Sequence, residues 1–140
     1  MKWKVIFGLI AVSVLLFYSF SNYSELHQDD EKPITLLEFN KKIKESEKIV
    51  LVYFHASWCT VCKKVKPVLA ELENEFSEKV EVFRIDTDRD KEVAHEFDIH
   101  ALPVMMLYNH ANREWIHVGI ISKGDLKQKI VPYTWDKKSK

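Results

Sequence analysis

Cysteine is nearly absent from this 140-residue chain: Cys59 and Cys62 are the only two. That scarcity excludes whole classes of site. Structural zinc sites built on Cys-x-x-Cys need a second half with its own ligands, and the chain has no second cysteine pair and six scattered histidines, His27, His55, His95, His100, His110 and His117. Haem attachment needs a histidine directly after the second cysteine, and Lys63 stands there. No cysteine lies near the end of the apolar N-terminal run, which argues against a lipoprotein anchor. An excess of charge of either sign is also missing. With 21 basic and 21 acidic residues and no basic stripe, the chain lacks the electrostatic footprint of a nucleic-acid binder. Internal repeats and low-complexity tracts are absent too. What remains is the length of one domain, with 46% apolar and 12% aromatic residues to fill one core.

The longest uncharged stretch lies near the N-terminus, where Lys2 and Lys4 precede a run from Val5 to Tyr23. About 20 apolar residues span a bilayer and about 7 to 15 form the core of a signal peptide, and this run falls between the two. Residues 1–24 are therefore expected to be a signal peptide or an N-terminal membrane anchor rather than part of the fold. Ser19 and Ser21 offer small residues for cleavage, without an Ala-x-Ala site. Basic residues before the run, with Glu25, Asp29, Asp30 and Glu31 after it, put the lysines in the cytoplasm and the domain outside it. Residues 25–33 read as a linker, residues 34–132 as the domain and residues 133–140 as a frayed tail.

Thr35 and Glu38 make a capping-box pattern, and Leu36, Phe39 and Ile43 follow at helical spacing, so a first helix is expected to fade at Glu45 to Lys48. The continuous apolar run Ile49–Phe54 reads as a strand covered on both faces. From Cys59 to about Phe76 a second helix presents Val61, Val65, Val68, Leu69, Leu72 and Phe76 on one face, and Pro67 is expected to kink it. A strand from Val80 to Asp86 and a short helix from Asp90 to Phe97 follow. Val104–Tyr108 and Glu114–Val118 read as a hairpin about a turn from Asn109 to Arg113, and Gly119 breaks its second strand. Ser122 opens a last helix that turns Leu126 and Ile130 inwards and stops at Pro132. Strand, helix, strand, helix, hairpin and helix make an α/β fold, a central mixed β-sheet flanked by helices on both faces.

The two cysteines fall three apart, where the buried strand turns into the second helix. The first turn of a helix has backbone N–H groups without partners, and with the positive end of the macrodipole they favour an anion. A thiolate is such an anion. A free cysteine has a pKa of about 8.5, and placement at a helix start lowers it towards or below neutral, which creates the nucleophile that attacks disulfides. A purely structural disulfide is the competing reading, but closing so short a loop removes little chain entropy. Lys63, Lys64 and Lys66 read as a solvated helix face with some electrostatic influence on the thiolate.

Several motifs in order carry a family resemblance: Trp58-Cys59-Thr60-Val61-Cys62-Lys63, Pro67 five residues after the second cysteine, Phe97-Asp98-Ile99 leading into Leu102-Pro103, then Gly119 and Ser122-Lys123-Gly124-Asp125-Leu126. From about Ile34 to Val131 the chain resembles thioredoxin. The tethered arrangement is also similar to extracytoplasmic members of the superfamily, including the thioredoxin-like domains of transmembrane thiol:disulfide interchange proteins. The resemblance implies a thioredoxin fold, with Cys59 the attacking thiolate and Cys62 the resolving thiol. It implies no metal and no organic cofactor, because the redox-active disulfide Cys59–Cys62 carries the two electrons itself. Pro103 matches the family's cis-proline, with the backbone around Leu102 offered to an extended substrate segment, and Trp58 borders the site.

Two departures from the family pattern bear on proton transfer. Six residues before the first cysteine thioredoxins carry a buried aspartate that handles the resolving thiol's proton, and Tyr53 stands there; the partner lysine on the next strand is replaced by Val82. A phenol with a pKa near 10 is a poor base at neutral pH. His55, four residues before Cys59, is therefore a candidate for tuning the site alongside Tyr53. Thr60-Val61 is neither the Gly-Pro of common thioredoxins nor the Pro-His or Gly-His of strong oxidants and isomerases, which implies a moderately reducing couple.

The function these readings lead to is thiol:disulfide exchange with protein substrates outside the cytoplasm, acting as a reductant. The expected location is the bacterial periplasm, either anchored to the inner membrane or secreted. The expected partners are protein thiols and disulfides, an upstream thiol electron donor such as a transmembrane reductase, and the membrane itself where the N-terminal segment is retained. An extracytoplasmic oxidase or isomerase, and a non-catalytic thioredoxin-fold binding module, are the alternatives.

Overall fold

In a computed structural model, described over residues 32–134, the fold opens on the capping box read from the sequence. Thr35 Oγ1 accepts from the Glu38 N–H at 3.2 Å, and the Glu38 carboxylate accepts from the Thr35 N–H at 2.8 Å, which satisfies both donors at the head of α1 (Leu36–Glu45). Then come β1 (Ile49–His55), α2 (Thr60–Glu75), β2 (Val80–Asp86), α3 (Lys91–Glu96), β3 (Val104–Asn109), β4 (Asn112–Val118) and α4 (Lys123–Thr134). The expected signal peptide or anchor at residues 1–24, most of the linker and the end of the tail lie outside the described residues.

The strands order as β2-β1-β3-β4, with β1 parallel to β2 and antiparallel to β3. The central strand is buried from Ile49 to Phe54, as its unbroken apolar run requires. Period-two alternation divides it between two cores. Val50, Val52 and Phe54 pack with Phe39 and Ile43 of α1 and Val93 of α3, whereas Leu51 and Tyr53 pack with Val65, Leu69 and Leu72 of α2 and Leu126 and Ile130 of α4. Helices therefore flank both faces of a mixed sheet. Fully burying each such side chain contributes about 1.5–3 kcal/mol, so the register of β1 against both helical layers fixes where its C-terminal end points.

The second helix includes Pro67 and reaches Glu75, close to the expected end. Three details depart from the sequence reading. Val61 is 39% exposed: successive helical residues are about 100° apart, so turning Cys62 inwards turns Val61 off the core. The hairpin is tighter than expected, because Asn109 pairs with Asn112 across two residues, with His110 in the left-handed region at φ 46°. A register shift between Leu107 and Tyr108 takes up the extra residue. Finally, α4 passes through Pro132 and ends at Thr134. A proline in the last turn forfeits one N–H bond, and tertiary contacts hold the end: Lys79 Nζ donates to the Thr134 carbonyl at 2.7 Å and Tyr133 Oη donates to Glu114 at 3.3 Å. Tyr133 and Thr134, read as part of a frayed tail, are docked.

Asp90 is the fully buried carboxylate among the described residues. It stands at the start of α3 but does not cap it. Its oxygens instead accept from the Ile34 N–H at 3.1 Å, the Asp86 N–H at 3.0 Å and the Arg89 Nε and Nη2 at 2.9 Å each. Burial alone would raise its pKa, but the Arg89 guanidinium and the two backbone donors hold it below the usual carboxylate range. Removing one partner of a buried charge pair costs about 3–5 kcal/mol. Asp90→Ala is therefore expected to lose stability on that scale in urea unfolding at neutral pH. The folded pKa lies below the unfolded value of about 3.9, so the contribution is complete above that pH and disappears as pH falls through the folded value. Equal urea midpoints for the two proteins at neutral pH would refute this role.

Candidate active site

Where β1 leaves the core, four residues carry the chain to the head of α2, and Cys59 is the N-cap. Its Sγ accepts from the Cys62 N–H at 3.1 Å, taking up one of the donors that a helix start leaves without an intrahelical partner. The two cysteines are joined in a disulfide with their Cα atoms 5.3 Å apart. In this state Cys59 is 5% exposed and Cys62 1% exposed. After reduction the same N–H and the helix dipole act on whatever charge Cys59 carries and favour its thiolate. Cys62 lies one turn inside the helix, in the core. The two sulfurs thus differ in surroundings, one capping the helix head and the other packed behind it.

Around the pair the structure places the residues singled out from sequence. Trp58 is 67% exposed, and its indole N–H donates to Asp88 Oδ2 at 2.8 Å. Asp88 is positioned in turn by its own N–H, which donates to Asp86 Oδ1 at 3.0 Å. The Leu102–Pro103 bond is cis. Sheet register pairs Phe54 with Val104, so Pro103 lies at the end of the sheet where β1 hands over to α2. The Pro103 carbonyl accepts from the Gly119 N–H at 2.9 Å. Gly119 sits at φ 98°, a conformation open to glycine at little cost. Sequence reasoning missed Asp88 and the fully buried Asp90; their signal was the alternation Asp86-x-Asp88-x-Asp90 at the end of β2.

Tyr53 occupies the face of β1 beneath α2, 1% exposed, and its hydroxyl donates to the Cys62 carbonyl at 3.1 Å. Burial pushes its pKa up to about 12, with Arg84, its register partner on β2, acting in the opposite direction. The phenol therefore stays protonated throughout the physiological range and serves as a hydrogen-bond donor, not a base. Val82 lies in the same core cluster as Tyr53 and the two cysteines. His55, the last residue of β1, stacks on Tyr53 with ring centroids 5.1 Å apart.

Other features do not converge here. Two surface hollows, one lined in part by Glu38, Lys42 and Glu81 and the other by Phe76, Lys79 and Lys127, include neither cysteine. Exposed apolar side chains at Trp58 and Val61 beside a nearly closed disulfide suit contact with a protein segment better than enclosure of a small molecule. His95 and His100 have the four-residue gap that zinc sites use, but His100 pairs with Asp98 at 2.7 Å, and no group of three potential ligands gathers among the described residues. No helix among the described residues is long and apolar enough to cross a membrane.

A hydroxyl that only donates a hydrogen bond leaves a small trace when removed. Tyr53→Phe is expected to cost about 1 kcal/mol of stability while the rate of disulfide exchange stays within a few-fold of the parent at neutral pH. A collapse of the exchange rate in a well-folded variant would make the phenol a participant in proton transfer.

A family model described as Thioredoxin matches residues 31–131. The chain is 34% identical over 89 residues to Thioredoxin M-type, chloroplastic, of Spinacia oleracea, covering 64% of this chain and 49% of that protein. It thus spans about half the length of the spinach protein. Against Thioredoxin 1 of Nostoc sp. the identity is 30% over 97 residues, covering 69% of this chain and 91% of the relative. Among solved structures, the oxidised form of mitochondrial thioredoxin 3 from Saccharomyces cerevisiae superposes with a TM-score of 0.63 at 26% identity, covering 70% of this chain and 90% of that one.

Proposed function

Because this chain belongs to the thioredoxin family of disulfide oxidoreductases, we propose that it exchanges its Cys59–Cys62 dithiol with protein disulfides outside the cytoplasm, as a reductant. The observation that carries the proposal is the Cys62 N–H directed at Cys59 Sγ at the head of α2. Cys59 thiolate attacks one sulfur of a client disulfide and expels the other as a thiolate, leaving a mixed disulfide. Cys62 then loses its proton, attacks Cys59 Sγ and releases the second client thiolate, and the two electrons have passed to the client. Trp58, Leu102 and the Pro103 backbone border the path of an extended client segment. The sulfur pair holds the electrons, so the reaction needs no metal or organic cofactor. A thiol donor, of the kind a transmembrane reductase supplies, returns the pair to the dithiol state.

Charge and hydropathy support the proposed location: Lys2 and Lys4, then the run from Val5 to Tyr23, then an acidic linker suit a domain held on, or released from, the outer face of a bacterial inner membrane. The Thr60-Val61 pair, with no histidine between the cysteines to stabilise the thiolate, supports the reducing direction.

Replacing Cys62 with serine tests the chemistry. Cys62→Ser is expected to accumulate mixed disulfides through Cys59 on a non-reducing gel, and Cys59→Ser to accumulate none. Clients retained equally by both variants would instead mark a binding module without turnover.

A further inference from the structure

Exchange as proposed leaves one titratable side chain at the end of β1 without a task. The Nδ1 atom of His55 is buried and has no hydrogen-bond partner among the described residues. An unsatisfied buried polar atom costs free energy, and where a native fold retains one, a functional reason is to be sought. The His55 ring stacks on Tyr53 at 5.1 Å with 22° between planes, and Tyr53 donates to the carbonyl of Cys62 at 3.1 Å. Alternation along β1 puts His55 on the same face as Tyr53, the face that α2 covers. The charged groups that act on it come from every neighbouring element. They are Asp86 and Arg84 on β2, Arg89 just beyond it, and Lys66 on α2, one turn after Cys62.

We propose that His55 is a positioning residue that takes up a proton when the Cys59–Cys62 disulfide is reduced and gives it back when the disulfide forms. The inference rests on the exchange reaction proposed above. In the oxidised protein, burial holds the His55 pKa below its ordinary value; Asp86 opposes this, and Lys66, Arg84 and Arg89 reinforce it. The neutral ring is thus the favoured form while the sulfur pair is a disulfide. Reduction by a dithiol transfers two electrons to the sulfur pair, and the reductant leaves as its own disulfide. Of its two protons one goes to Cys62 Sγ and the other to His55, while Cys59 remains a thiolate. The new negative charge at the head of α2 attracts a positive ring, which raises the affinity of His55 for the proton. Reciprocity then requires that the imidazolium stabilise the thiolate by the same free energy. His55 in this way supplies a proton store at a site whose phenol cannot give one up.

The native full chain provides the first test. The titration midpoint of the His55 ring, followed by its Cε1–H resonance, is expected to move to higher pH when the disulfide is reduced with a phosphine. An identical midpoint in both redox states overturns the inference. A second measurement uses His55→Asn: alkylation of reduced Cys59 by iodoacetamide is expected to be several-fold slower than in the parent below the His55 midpoint and equal to it above. A uniform change at all pH values would reflect structure alone and would also overturn it. If exchange through Cys59 persists while His55 ignores the redox state, this inference alone fails. Absence of any mixed disulfide from Cys62→Ser would remove the reaction on which it depends.

Discussion

A single backbone hydrogen bond, from the Cys62 N–H to Cys59 Sγ, organises this molecule's chemistry. Every helix begins with donors that the helix cannot satisfy, and in most proteins a serine or aspartate side chain accepts from them. Here a cysteine occupies that place, so the group that caps the helix is also one half of the disulfide. The cap holds its position because β1 is buried on both faces up to Phe54 and α2 is seated by Val65, Leu69 and Leu72. Strand and helix therefore meet at one angle, and the sulfur is held by the packing of a whole domain rather than by its own loop.

The floor of the site is unusual in its polarity. Thioredoxins are expected to carry a carboxylate and a lysine beneath the pair, whereas this chain has a phenol and an apolar side chain, Tyr53 and Val82. Tyr53 contributes by donation to the Cys62 carbonyl, and its burial removes it from proton transfer. The titratable ring at the edge of the same core is His55, whose pKa burial lowers, between acidic and basic neighbours. Further out, the end of β2 serves as a second anchor. Asp88 holds the exposed Trp58, and Asp90 ties β2, Arg89 and the entering chain at Ile34 together through charge-assisted bonds.

Much of the fold was readable because its signals are local. The Thr35–Glu38 box, the apolar run of β1 and the spacing of Val65, Leu69 and Leu72 each report a conformation that neighbouring residues decide among themselves. Misreadings arose where a local preference met a distant partner. Pro132 weakens a helix by one bond, but Lys79 and Glu114, far away in sequence, hold the residues beyond it. Val61 has the periodicity of a core residue and lies in a helical turn that rolls it outwards. Asp90, read as the first residue of a short helix, is instead a buried junction whose partners, among them the Ile34 N–H, come from elsewhere in the chain.

By itself the sequence determined where the sulfur pair sits, since its two cysteines fall three apart at a strand-to-helix boundary. It also determined the order of elements and the two-sided burial of the sheet. Tertiary structure alone decided the environment: which hydroxyl meets the Cys62 carbonyl, which carboxylate holds Trp58, and that a buried histidine nitrogen has no hydrogen-bond partner among the described residues. The reason is physical. Periodicity and capping act over a few residues, whereas hydrogen-bond partners and desolvation depend on chains brought together from 9 to 56 positions apart, as between Tyr53 and Cys62 or Ile34 and Asp90.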